Sequence, residues 1–388
     1  MFNLKSIQNS VFSWYGNSVV TNFFEKIISF NTDKKFSIIL VLHIVPDIVD
    51  FLEFISKYFT IEYIIPKQKS INKDIYEILE KKYIFLEKDK DFFYNDKKWV
   101  IDIFSKINND FIIIDIWWYF SKISVYLKEV FWNQFLWIVE DTENWIQKYE
   151  KNNTSDFLSL FSVARSDLKI PEDLLVWQSI VFTVSYILRK NNILLNNKNI
   201  WIIWFWKIWE SIAENLRWNN INIWINDISS VKWVKVISSW YNFFDKKDIL
   251  EKSDIIFCAT WNISLRDIDF WLIKNWTIIC TVTSSDDELD IKYLNKNTKH
   301  VKSWLFIDEY QFSNWKFFYL LNNWSTVNFI KEFNWWTRVW FFITLVQAEI
   351  LSSIWYLIKW DSWKNKILEI SNNDKENIAI EWIKSFYN

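Results

Sequence analysis

The chain has 388 residues, 45 basic and 47 acidic side chains and a net charge of −2, so no global field recruits nucleic acid or an anionic membrane. The length suits two domains, and 51% apolar residues supply material for sizeable cores. Cys258 and Cys280 lie in strand-like apolar runs and read as buried thiols, which excludes a disulfide framework and leaves no metal expected.

Taken in chain order, Ser37–Leu42 reads as an apolar strand, Pro46–Phe59 as a helix and Ile61–Ile65 as a second strand. The polar stretches Lys67–Asp74 and Lys88–Lys98 read as solvated loops. A third strand, Phe111–Ile114, leads through Asp115-Ile116-Trp117-Trp118 into a helical pattern over Tyr119–Val130. A long helix is expected over Gln178–Lys190, followed by a polar break to Asn199. Strand–helix alternation of this kind predicts an α/β fold with parallel sheets. No apolar run is read as a membrane span, and Met1–Lys5 lacks the layout of a secretory signal, so the expected location is cytoplasmic.

The composition holds one anomaly: 29 tryptophans and a single glycine. Average usage would give about 27 glycines at this length. The tryptophans also stand where glycine is expected, after polar or basic residues at turns (Arg217-Trp218, Asn275-Trp276) and in pairs (Trp117-Trp118, Trp335-Trp336). Most of them therefore read as UGA codons of a lineage with an alternative genetic code, in which UGA means glycine. With that substitution the next unit becomes legible. The β-branched strand Ile200–Ile203 runs into Trp204-Phe205-Trp206-Lys207-Ile208-Trp209 and a helix over Glu210–Arg217. Read with glycines this is G-x-G-x-x-G at a strand-to-helix junction, where each glycine lets the backbone turn, approach a pyrophosphate or pack closely. The helix N-terminus then offers backbone N–H groups to the anion. The strand Asn222–Ile225 ends near Asp227, 18 residues beyond Trp209, an acid suited to the adenosine ribose of NAD and repulsive to a 2′-phosphate. Asp254–Thr260 reads as a further strand ending in a small-residue turn beside the cofactor, and Trp276 precedes the strand Thr277–Thr281.

With Trp read as Gly, the chain from about residue 38 to about residue 355 resembles the S-adenosyl-L-homocysteine hydrolase family. The segments Val41-Leu42-His43-Ile44, Asp115-Ile116-Trp117-Trp118, Glu140-Asp141-Thr142-Glu143-Asn144-Trp145, Ser162-Val163-Ala164-Arg165-Ser166, Asp173-Leu174-Leu175-Val176-Trp177 and Thr326-Val327-Asn328-Phe329 follow in the family's order. The resemblance implies a Rossmann-type NAD-binding domain (179–335) inserted in a second α/β, substrate-type domain (1–178 plus 336–388). It also implies transient oxidation of a ribose 3′-hydroxyl, loss of the 4′ proton and elimination of a thiol. On the motif positions, His43, Asp141, Arg165 and Asp173 fall to the catalytic set. Trp204, Trp206, Trp209, Asp227, Thr142, Thr260 and Asn328 fall to the NAD-binding set.

Three positions depart from the pattern. Arg165 stands for the family's lysine, Ile116 for an aspartate and Ser284 for a histidine. An arginine holds its proton far above neutrality and is a poor base, so a salt bridge to Asp173 is the expected role of Arg165. The implied partner is a small-molecule nucleoside substrate, with no nucleic acid, no membrane, and a homo-oligomer left open. The functions weighed are an NAD-dependent thioether hydrolase of one-carbon metabolism, an NAD-binding module without that chemistry, and, last, a 2-hydroxyacid-type dehydrogenase. That last reading lacks a histidine after His300.

Overall fold

The computed structural model describes residues 18–28, 30, 35–116, 118–152, 154–203, 216, 221–227, 229–260, 263–282, 288–324, 326–327, 330, 340–359 and 366–387. They fall into two compact units, Met1–Pro171 with Trp336–Asn388, and Glu172–Trp335. The second unit is thus an insertion in the first.

In the first unit, β1 (Phe36–Ile44), β2 (Thr60–Ile71), β3 (Asp110–Asp115), β4 (Phe135–Glu140) and β5 (Ser159–Ser162) form one sheet with a late strand, Ile367–Leu368. Among the described residues its order is Ile367–Leu368, β5, β4, β3, β1, β2, and every pairing is parallel. Such a sheet must be covered on both faces, which is why Ile38–Leu42 of β1 is an unbroken apolar run. Ile38, Leu40 and Leu42 feed one core cluster while Ile39 and Val41 feed the other. The first of these cores also takes Leu345, Ala348, Leu351 and Ile354 from the helix Trp340–Lys359. Within that helix, Phe342–Lys359 is long and apolar enough to cross a membrane by length and composition. Most of that stretch is buried, however, and it serves as a core helix here.

Three further expectations change. The segment from Lys67 continues β2 as far as Ile71, because β1 extends to Ile44 and pairs with it there. Lys67 and Ser70 are therefore buried rather than solvated. The helix predicted from Tyr119 begins only at Ser124. The N–H groups of Tyr119 and Phe120 are held by the Asp115 carboxylate at 3.1 and 3.0 Å, and a turn precedes the helix. The long helix starts earlier than expected, at Ile170, with Pro171 in the first turn where its missing N–H is harmless.

In the second unit the strands are β6 (Asn199–Ile203), β7 (Asn222–Asn226), β8 (Asn242–Phe243), β9 (Ile255–Cys258), β10 (Ile278–Thr281), β11 (Thr298–Trp304), β12 (Ile307–Phe312) and β13 (Phe317–Leu321). Their order is β11, β12, β13, β10, β9, β6, β7, β8. From β8 to β13 the pairings are parallel and the order is that of a Rossmann sheet; β11 and β12 add an antiparallel flank. The two free cysteines are buried in β9 and β10.

The backbone bears on the tryptophan anomaly. Nine described non-glycine residues have positive φ, and four are tryptophan: Trp118 (51°), Trp240 (61°), Trp276 (75°) and Trp315 (69°). Asparagine, which tolerates this region, supplies four more. Trp240 follows the helix Ser230–Ser238 and its cap Ser239, the position where glycine commonly closes a helix. The N–H of Tyr241 donates to the Val236 carbonyl and that of Trp240 to the Ile237 carbonyl, completing a Schellman motif around an indole. Packing gives a second sign. The indole Nε1 atoms of Trp137, Trp177 and Trp201 are buried with no hydrogen-bond partner among the described residues, although buried indoles ordinarily find one.

Candidate functional site

In the first sheet the strand order reverses beside β1, with β2 on one side and β3 on the other. Ligands of open parallel sheets bind at the carboxyl ends of strands at such a point. His43 is the penultimate residue of β1. Its Nδ1 lies 2.6 Å from Ser70 Oγ, and Ser70 Oγ lies 3.2 Å from the Lys67 carbonyl. Burial, aided by the charges of Lys67 and Lys169, pushes the His43 pKa well below the ordinary imidazole range, so the ring is neutral at physiological pH.

The neighbouring strand ends add carboxylates. Asp115, at the end of β3, accepts from Tyr119 N–H, from Phe120 N–H and from the Tyr149 hydroxyl at 2.5 Å. Glu140, at the end of β4, is fully buried. Its Oε1 accepts from Thr142 N–H at 2.6 Å and Thr142 Oγ1 at 2.9 Å, while Oε2 has no partner among the described residues. Burial, with the adjoining Asp141 charge, raises its pKa well above that of a free carboxylate, so Glu140 holds a proton more tightly than an exposed acid does. Asp141 Oδ2 lies 3.9 Å from Lys169 Nζ, both side chains being nearly buried. Lys169 ends a short 3-10 turn, Asp167–Lys169, whose entry is capped by the Ser166 hydroxyl on Leu168 N–H.

The structure corrects the partner expected of Arg165. Its guanidinium grips Glu143 through Nε at 2.9 Å and Nη2 at 3.0 Å, and Glu150 through Nη1 at 3.0 Å. The Glu143 hydrogen bonds raise its pKa further, so it is still less a base. Asp173 lies in the first turn of the helix Ile170–Lys190, where an acid suits the helix dipole. Of the residues expected in catalysis, His43 and Asp141 come to the strand ends. Lys169, Lys67, Ser70 and Glu140 join them there without having been singled out. Thr142, expected near the cofactor, spends both N–H and hydroxyl on Glu140.

In the second unit the order reverses between β6 and β9. Trp204, Trp206 and Trp209, Ser284 and Asn328 lie outside the described residues. Asp227 follows β7 and is buried; its Oδ1 accepts from Ser229 N–H at 2.7 Å and its Oδ2 lies 3.4 Å from Lys232 Nζ. Thr260 follows β9, and its hydroxyl donates at 3.0 Å to the buried carboxylate of Glu288, which also holds the Ser264 hydroxyl. Glu288 was not anticipated; it ties down the loop after β9 from beneath. Strand order, the acid after β7 and the small turn after β9 all suit a dinucleotide. Among the described residues no three His, Cys, Asp or Glu side chains group as a metal site.

Fold and strand-end geometry together define an α/β protein with a Rossmann-type NAD-binding domain. Residues 178–331 match the family described as S-adenosyl-L-homocysteine hydrolase, NAD binding domain. A curated adenosylhomocysteinase of Nostoc sp. is 27% identical over 148 residues, 38% of this chain and 35% of the relative, so the match spans about a third of that relative's length. Among solved structures, a glyoxylate reductase from Paecilomyes thermophila covers 68% of this chain and 78% of its own, at 12% identity and a TM-score of 0.43. The dipicolinate synthase A chain of Bacillus subtilis covers 84% and 97%, at 10% identity and a TM-score of 0.41.

Proposed function

We propose that this chain is an NAD-dependent hydrolase of the adenosylhomocysteinase type, acting on S-adenosylhomocysteine or a related thioether nucleoside. The observation that carries the reading is the grouping of neutral His43, buried Glu140 and the Asp141–Lys169 pair in the unit into which the NAD-binding segment is inserted. When bound, NAD would take and return a hydride at the ribose 3′ carbon. The residues of the first unit then have separate tasks. Glu140 and Asp141 offer a donor and an acceptor to ribose hydroxyls. Neutral His43 can take up a proton. Lys169 takes the role that its motif position gives to Arg165, since a buried lysine can release a proton near neutrality and an arginine cannot.

The same reading requires glycine at most tryptophan positions in the natural protein. Trp118 and Trp177 stand where the resembling motifs have glycine, and one is left-handed while the other buries an Nε1 with no partner among the described residues. Indoles at 204, 206 and 209 would fill a pyrophosphate cradle, so NAD binding rests on glycine there. Peptide mass spectrometry of the protein from its source decides between the two residues directly.

The functional test is release of free thiol from S-adenosylhomocysteine by the gene recoded with glycine and purified with NAD. Thiol release supports the hydrolase. Its absence from protein shown to hold NAD overturns that reading in favour of an NAD-binding module without the chemistry, which the outward-turned Arg165 would then explain.

A further inference from the structure

We propose that Glu349 is a positioning residue for Lys169: from the core helix of the first unit, its carboxylate holds the lysine's ammonium in the strand-end site. The inference rests on reading Lys169 as a residue of the proposed hydrolase site. Glu349 lies on the helix Trp340–Lys359, which packs against the turn Asp167–Lys169. Its side chain is fully buried, and neither oxygen has a hydrogen-bond partner among the described residues. A carboxylate so placed costs stability unless opposite charge answers it. The groups that face it are Ser166 and Lys169 on the turn, Lys375 on the C-terminal helix Asn372–Phe386, and Glu369. Lys375 Nζ stands 4.0 Å from Glu349 but 2.9 Å from Glu369, so it answers Glu369 first. Lys169 is shared in the same way, with Asp141 at 3.9 Å. Glu349 is therefore faced by the ammoniums of two ion pairs, as a third carboxylate to two positive charges.

The consequence is a linked change of charge. Burial favours the neutral form of Glu349, and the facing ammoniums favour the charged form. When Lys169 gives up its proton, one of those ammoniums is lost and Glu349 binds a proton more readily. One proton leaves Lys169 and one enters at Glu349, so the pair passes from ammonium and carboxylate to amine and carboxylic acid. No lone buried charge is left behind. A lysine that must act as base and acid in turn gains from such a partner. Glutamine would fill the same space but could not make this change.

The test is carbon NMR of chain labelled with 13C at lysine Cε, whose shift follows the charge of each ammonium. The signal lost in Lys169→Met is that of Lys169. Glu349→Gln should lower the pH at which Lys169 loses its charge by about one unit or more, the usual effect of removing a nearby opposite charge. A midpoint that is unmoved or raised in folded Glu349→Gln overturns the proposal. Linkage is reciprocal, which supplies a second measurement. In chain labelled with 13C at glutamate Cδ, the signal lost in Glu349→Asp is that of Glu349. Lys169→Met should raise its midpoint, and an unmoved midpoint overturns the proposal as well. Should Glu349→Gln fail to fold, this second titration decides alone. Neither readout needs turnover, so loss of the hydrolase reading and loss of this one are separately visible.

Discussion

The two units solve one problem, placing chemistry at the reversal point of a parallel sheet, with different parts of the polypeptide. In the first unit the strand ends carry polar and ionisable side chains: His43 on β1, Lys67 and Ser70 on β2, Asp115 on β3, Glu140 on β4 and Asp141 just after it. In the second, the strand-end residues are Asp227 and Thr260, and the rest of the expected cradle is backbone. A side-chain site is sensitive to a shift of a few residues, because the functional atom lies several bonds from the chain. A backbone site tolerates such shifts but not a Cβ where the chain must approach its ligand. Each unit should therefore break in its own way.

The largest effect is expected in the second unit. Glycine at 204, 206 and 209 should raise NAD affinity more than about 100-fold over the tryptophan chain, since two or more charge-assisted hydrogen bonds of about 1.5–3 kcal/mol each are at stake. Titration calorimetry with NAD on both chains measures it, and equal affinities would sink the glycine reading.

In the first unit the comparison sharpens to Lys169 against Arg165. On the recoded, NAD-loaded protein, Lys169→Met should cost about 100-fold or more in kcat, the usual scale of positioned proton transfer. Arg165→Met removes a half-exposed ion pair and should cost less than about fivefold. Arg165→Lys should gain nothing, since the position is turned toward Glu143 and Glu150. Thiol release from S-adenosylhomocysteine measures all three, and a larger loss at Arg165 than at Lys169 would reverse the assignment.

This pair also shows where the sequence was legible. The alternation of strand and helix, the order of the Rossmann unit and the place of His43 all follow from apolar period and motif order, which depend on many residues at once. The lysine of the site did not follow, because a motif assigns function by position in the string. Here the turn after β5 is longer and a lysine four residues later, Lys169, reaches the site instead. Strands β4 and β5 went unread for a related reason. Their last residues, Glu140 and Ser162, entered the reading only as the first letters of motif segments, although strands as short were read elsewhere. Lys67 and Ser70 were hidden by composition, since a run of Lys, Gln and Ser reads as solvent-facing until β1 pairs with it.

Smaller and opposite in pH sense is the effect of Glu349, on the core helix of the first unit. Burial raises its pKa to about 7, with Lys375 at 4.0 Å as partial compensation. The folded pKa lies above the unfolded value of about 4.3, so the folded state binds the proton more tightly. Its cost to stability is absent below about pH 4, grows as pH rises between the two values and is complete above about pH 7. Glu349→Gln should remove that slope, leaving the variant more stable by about 3 kcal/mol at pH 8 and nearly unchanged at pH 4. Urea unfolding at the two values tests it, and a parallel pH profile in both proteins would refute it.

The smallest effect discriminates most cleanly between tryptophan and glycine. Trp240 closes the helix Ser230–Ser238 in the left-handed region at φ 61° and is 86% exposed, so its indole contributes little packing. Replacing it by glycine relieves a Cβ clash of about 1–2 kcal/mol against an entropic cost of up to about 1 kcal/mol in the unfolded chain. A gain of roughly 0.5–1 kcal/mol should remain. Trp240→Ala keeps the Cβ and should gain nothing, so glycine must exceed alanine at this site. Most helix and strand interiors show the reverse, because there glycine's extra freedom is only a loss. Were alanine to equal glycine in denaturant unfolding, the strain would lie in the indole rather than in the backbone, and the left-handed tryptophans would no longer speak for a glycine codon.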